Sequence, residues 1–121
     1  MATLLVNAGK AIVTNRIKGA GTEPLYVAYG TGAGTTAAAD TTLFTETGTR
    51  VSGTSTQQTT SVTNDTYQVV GTQTAGGTLA ITNAGLFDAS TSGNLFVKGD
   101  FSTINLSSGD SIQFTFKTQF S

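Results

Sequence analysis

Between Asp110 and Phe120 the chain alternates with period two: Ile112, Phe114, Phe116 and Phe120 are apolar, while Gln113, Thr115, Lys117 and Gln119 are polar. On a pleated strand this puts three Phe on one face and leaves the other to water, whereas a helix would scatter the rings around its circumference. Burying each ring is worth about 1.5–3 kcal/mol of transfer free energy, so the segment predicts a half-buried antiparallel strand. Such a strand needs a second layer to receive its apolar face.

The rest of the chain supplies candidates for that layer. Leu25–Gly30, Thr66–Thr74, Thr78–Thr82 and Leu95–Phe101 are short runs rich in strand formers, and Gly, Asn, Asp and Ser cluster between them. The predicted fold class is all-β: an antiparallel, jelly-roll-like β-sandwich of about six to eight strands with one short N-terminal helix. A length of 121 residues suits a single domain, residues 1–121, able to bury one core without disulfides or metal.

The helix is expected over residues 7–18. Asn7 is placed to accept from the free N–H groups of the first turn, Ala8, Ile12 and Val13 share a side with Ile17 near it, and Gly19 ends the pattern. Gly9 and the β-branched residues weaken it, so it depends on the sheet beneath it. Residues 1–6, with Leu4, Leu5 and Val6, read either as a short edge strand or as an arm that pairs with a neighbouring chain.

Residues 35–49 read as a long surface connection that Leu43 and Phe44 anchor and that carries Asp40 and Glu46, a place to expect a partner contact. Arg50–Ser61 is almost wholly polar and reads as an exposed strand or a flexible loop, with the Thr content favouring the strand. Ala75-Gly-Gly77 suggests a hairpin turn from the strand before it into Thr78–Thr82, and the slip of the apolar phase at Asn83-Ala-Gly85 suggests a bulge.

Chemistry is sparse. With no Cys and no His, thiol nucleophiles, imidazole bases and most transition-metal sites have no residues to build them. Asp88, Asp100 and Asp110 are the carboxylates that a two-acid hydrolytic site could use, but each lies beside Gly or Ser at a strand end, where Asp ordinarily bonds turn N–H groups. Gly30-Thr-Gly-Ala-Gly has the wrong spacing for a phosphate-cradling loop and no Lys follows it. No catalytic, cofactor-binding or metal-binding residue is therefore assigned, no cofactor is expected, and the chain reads as a non-enzyme.

A net charge of −1 gives no basic field for nucleic acid, and no apolar run reaches the roughly 20 residues of a membrane span. The start, Met1-Ala-Thr-Leu-Leu-Val, lacks a basic segment and soon meets Lys10 and Arg16, so synthesis and solubility in the cytoplasm are expected. Only 11% of residues are charged, far below the usual quarter, so Thr, Ser, Gln and Asn keep the surface wet. Such a surface sheds water more cheaply than Lys or Glu and suits permanent contact with other subunits.

Two stretches carry a family resemblance. Asn7-Ala-Gly-Lys-Ala-Ile-Val-Thr-Asn-Arg-Ile-Lys-Gly-Ala-Gly-Thr-Glu-Pro24 with Tyr26-Val-Ala-Tyr-Gly-Thr-Gly resembles the opening of a group of small structural proteins of tailed bacteriophages. Ile81-Thr-Asn-Ala-Gly-Leu-Phe-Asp-Ala89, Gly93-Asn-Leu-Phe and Ser108-Gly-Asp-Ser-Ile-Gln-Phe-Thr-Phe resemble the same group's second half, and the pattern recurs as a module in longer tail-fibre proteins. The resemblance implies a virion component made in the host cytoplasm, with no catalytic residues to carry over. Its first implied role is a capsid decoration (cement) protein that binds the major capsid protein as a dimer or trimer and braces the shell. Its second is a tail, neck or tail-fibre adaptor bound to another virion structural protein. A host-surface glycan-binding module using Tyr26, Tyr29 or Tyr67 is the contrasting class, and it would need those rings exposed.

Overall fold

The computed structural model describes residues 3–121, so the first two residues of the suggested arm lie outside the described part. Eight strands and one helix follow in the order β1 (Thr3–Leu5), α1 (Asn7–Ile17), β2 (Tyr26–Gly30), β3 (Glu46–Ser52), β4 (Thr54–Gln58), β5 (Thr66–Thr74), β6 (Leu79–Phe87), β7 (Leu95–Leu106) and β8 (Ser111–Gln119). They form two antiparallel sheets, one of five strands in the order β1-β7-β6-β2-β3 and one of three in the order β4-β5-β8. The all-β sandwich with a short helix is the fold expected from the residues.

Strand β8 keeps its period-two pattern along its whole length, with Ile112, Phe114 and Phe116 turned toward the other sheet. Phe120 is not part of that face. The strand ends at Gln119, the Phe120 N–H donates to the Asp65 carbonyl at 2.9 Å, and the ring stays 44% exposed. Between the layers Val27, Val69, Leu86 and Val97 are buried together with Ile12 of the helix, while Tyr29, Ile81, Ala84 and Leu106 fill the other end.

The three-residue β1 pairs with β7 of its own chain, Leu4 opposite Lys98 and Leu5 opposite Val97, so the described part of residues 1–6 is an edge strand. Helix α1 matches its expected span but not its expected cap. Val6 occupies the capping position without a side-chain bond, its carbonyl accepts from Lys10 N–H at 3.1 Å, and Val6 itself is fully buried. At the other end, Gly19 N–H bonds to the Arg16 carbonyl and Ala20 N–H to the Asn15 carbonyl, both at 3.0 Å, which closes the last turn. Ile17 falls on the solvent side and is 81% exposed. Gly9, which weakens the helix in isolation, is what lets it approach the sheet: a Cβ there would lie 2.1 Å from the Phe96 carbonyl oxygen.

The polar stretch from Arg50 is two strands rather than one. β3 begins at Glu46, four residues inside the expected loop, and closes the larger sheet, whereas β4 opens the smaller one. The chain crosses between layers at Gly53, where a Cβ would lie 2.5 Å from Val69 Cγ1 and where the N–H bonds to the Leu25 carbonyl at 2.7 Å. Residues 75–78 likewise cross between layers and do not form a hairpin, because β5 already has β4 and β8 as neighbours. Ala75 is bonded across to the β7–β8 turn, donating to the Asp110 carbonyl and accepting from Gly109 N–H, each at 2.8 Å. The ladder between β6 and β7 does shift register, between Ile81 and Asn83 and again between Leu86 and Phe87, with the extra residues on β7.

The far face of the larger sheet is covered by residues 31–45. Leu43 packs with Val6, Ala28, Phe87 and Leu95. Asn83 holds Phe44 by both backbone groups, accepting from its N–H at 3.0 Å and donating to its carbonyl at 3.1 Å. Lys98, fully buried after the apolar Leu95-Phe-Val start of β7, reaches Asp40 at 2.9 Å and the Thr42 carbonyl at 3.0 Å, with its ammonium 3.3 Å from the centre of the Phe44 ring. The Ala37 N–H and then Lys98 hold the Asp40 carboxyl below the usual carboxylate range. On β3, Arg50 makes a two-pronged pair with Glu46, lies 3.6 Å over the Phe87 ring, and donates to the carbonyls of Ala89 and Ser92 in the β6–β7 turn.

Three outcomes test these contacts. Asp40→Ala should cost about 3–5 kcal/mol in chemical denaturation because it strands a buried ammonium, and adding Lys98→Met should recover part of that loss. Gly9→Ala should destabilise the protein by about 1–3 kcal/mol even though Ala is the better helix former, because the clash is with backbone. Asp65 accepts from the N–H groups of Thr60, Ser61 and Val62, which hold its carboxyl far below the usual range. Its contribution is complete above its unfolded value of about 3.9 and is lost as the pH falls toward the folded one. Asp65→Asn should therefore lower the melting temperature at pH 7, and the difference from the parent should shrink below about pH 4.

Candidate assembly interface

The two layers are joined on one side and open on the other. On the joined side β3 runs into β4, and β5 lies across β2, where the Gln73 amide donates to the Val27 carbonyl at 2.8 Å. β8 comes next, its Phe114 ring 6.4 Å from that of Phe101 on β7. Beyond β8 the smaller sheet ends, and the larger continues to β1. The step between them is a cleft of about 490 Å³ lined by Leu5, Val97, Phe101, Phe114 and Phe116 among others, with Lys117 its one ionisable lining residue among the described residues. Phe114 and Phe116 stack at 6.0 Å and are half-buried.

A second cleft, of about 520 Å³, lies where α1 meets β5 and is lined by Val13, Ile17, Pro24, Tyr67 and Phe120, with the charged Arg16 and Glu23 beside them. Among the described residues, Ile17 and Phe120 are two of the four large apolar side chains most open to water, the others being Val62 and Ile104.

The tyrosines weighed as a glycan platform are not displayed. Tyr29 is buried, Tyr26 packs beside Phe87 and Leu95, and Tyr67 is half-buried against the edge of the Phe96 ring. The Tyr67 hydroxyl donates to Glu23 at 2.9 Å, and burial, followed by that carboxylate, raises its pKa well above the usual tyrosine value. The three carboxylates considered for hydrolysis bind backbone instead. Asp88 accepts from Asn94 N–H at 2.7 Å, Asp110 from Ser107 N–H at 2.8 Å, and Asp100 from Thr36 N–H at 3.0 Å. Asp40, on the connection where a partner contact is expected, pairs with Lys98 of its own chain.

The cleft was not visible as a motif because it arises from unequal sheet widths. The buried pair had a signal: Lys98 interrupts Leu95-Phe-Val with an ammonium that a two-sided apolar strand can hold only beside a carboxylate.

No curated relative matches the chain, and no solved structure does. A family model does, described as podophage GP4 fiber I protein gp80, and the match spans residues 6–119, from the end of β1 through the last residue of β8. The match thus covers the helix and every strand but β1, including β7 and β8 on either side of the cleft, and the chain belongs to this family and is a structural component of the phage virion.

Proposed function

We propose that the chain is a non-enzymatic structural protein of the tail-fibre apparatus, attached to other virion proteins through the open side of its sandwich. The observation that carries this reading is the family match, which spans nearly the whole chain and whose description names a fibre protein. The open side supports it physically. Leu5, Phe101, Phe114 and Phe116 leave apolar surface between two sheet edges, where an adjoining protein would remove it from water at about 25 cal/mol per Å². The surface elsewhere is neutral and Thr-rich, with 11% charged residues, which keeps the cost of desolvating a rim low. One buried and two half-buried tyrosines and the backbone-bound carboxylates leave little for a glycan platform or a hydrolytic pair.

Capsid decoration uses the same surface logic but predicts another place and another number. Antibody labelling of purified particles in the electron microscope should mark the tail or its fibres, and quantitative mass spectrometry should find far fewer copies than of the major capsid protein. Label spread over the head at a copy number approaching that of the shell protein would replace this reading with cement.

A further inference from the structure

The lining of the cleft limits what can fill it. One wall is β8, nine residues long and last in its sheet, so alternate backbone N–H and C=O groups along its outer edge have no neighbouring strand among the described residues. A free edge of that length beside an apolar floor favours one more strand, which gains main-chain hydrogen bonds from the edge and sockets for every second side chain. Phe114 and Phe116 on one side and Leu5, Val97 and Phe101 on the other form those sockets.

Charge and topology narrow the occupant. Among the described residues only Lys117 is ionisable in the lining, so a segment rich in charge would lose hydration there without pairing. The alternately apolar strands of this chain, β5 through β8, are already placed in its own two sheets, which leaves none to donate. A second copy pairing β8 against β8 in antiparallel fashion would need a two-fold axis normal to the sheets. Both five-stranded layers would then lie on the same side of the joint, and each overhangs its β8 by one to two strands at about 4.8 Å per strand, so they would collide before the edges met.

We propose that the cleft receives one extended, nearly neutral segment of a different virion structural protein, which adds to β8 as a fourth strand of the smaller sheet and turns apolar side chains toward Leu5, Val97 and Phe101. This rests on the virion reading and goes beyond it by naming the surface, the binding mode and the chemistry of the partner segment.

The test uses assembled phage carrying the photoreactive residue p-benzoylphenylalanine in place of Phe116, irradiated and analysed by mass spectrometry of digested particles. The expected product joins position 116 to a single segment of another virion protein, and amide exchange of residues 112–118 should be slower by about tenfold or more in particles than in the isolated protein. A cross-link to a second copy of this chain, or only to its own β1 and β7, overturns the proposal, as does unchanged exchange. Should the bulkier ring at position 116 prevent assembly, the same probe at exposed Thr115, on the rim of the cleft, reports the same contact. Absence of the protein from particles would sink the virion reading itself, whereas presence with only self cross-links would sink this inference alone.

Discussion

A sheet of three strands can bury a sheet of five only where the three lie, and that mismatch governs the rest of this molecule. Over β2 and β6 the match is complete, and Val27, Ile81 and Leu86 are fully buried. Past β8 the larger sheet has no strand opposite, so Leu5 and Phe101 are only partly covered. Helix α1 relieves part of the deficit by bringing Ile12 and Val13 against Phe96 and Val97, a placement that depends on the bare backbone of Gly9. What remains is the cleft beside β8, where the core residues Val97 and Ala84 reach the surface.

The opposite face of the larger sheet solves a different problem. No second sheet is available there, so a connection of irregular backbone does the covering, and irregular backbone leaves N–H and C=O groups to be satisfied. Asn83 and Lys98 serve that need from the sheet below, taking up the backbone of Phe44 and Thr42, and Asp100 takes up Thr36 N–H. Asn83, Lys98 and Asp100 are thus the anchors of a loop, which explains why these three positions on the covered face of β6 and β7 are not apolar. The same device recurs at the sheet's other edge, where Arg50 ties the β6–β7 turn to β3 through two carbonyls and an aromatic face.

Local periodicity was the legible part of the sequence. The alternation of β8, the span of α1 and its stop at Gly19 follow from residues a few positions apart, and the structure has them where the pattern put them. Long-range pairing was not legible. Glu46–Gln58 is polar on both faces, so nothing in it marked the crossing at Gly53, which is set by the contact with Val69 from a distant strand. Ala75-Gly-Gly77 has the composition of a hairpin turn, yet the partners of β5 are β4 and β8, and nearness in sequence favoured the wrong one. Phe120 continued the alternation by one step after the ladder had ended. The cleft belongs to this second class, since it depends on how many strands each layer receives and on no single residue.

Low charge and an open sandwich edge are liabilities in a protein that stays free in solution, because an unprotected edge is a template for pairing with any extended chain. β8 carries one charge, Lys117, and no proline, and it ends a sheet without a bulge in its pairing to β5. The opposite boundary of that sheet, β4, is short, wholly polar and tied to β3 by the crossing at Gly53, so it is poorly suited to receive a partner. The two edges of one three-stranded sheet thus differ in the property that decides association. That asymmetry leaves β8 the better suited of the two edges to receive a strand, as the proposed docking requires and as a freely diffusing monomer would have reason to avoid.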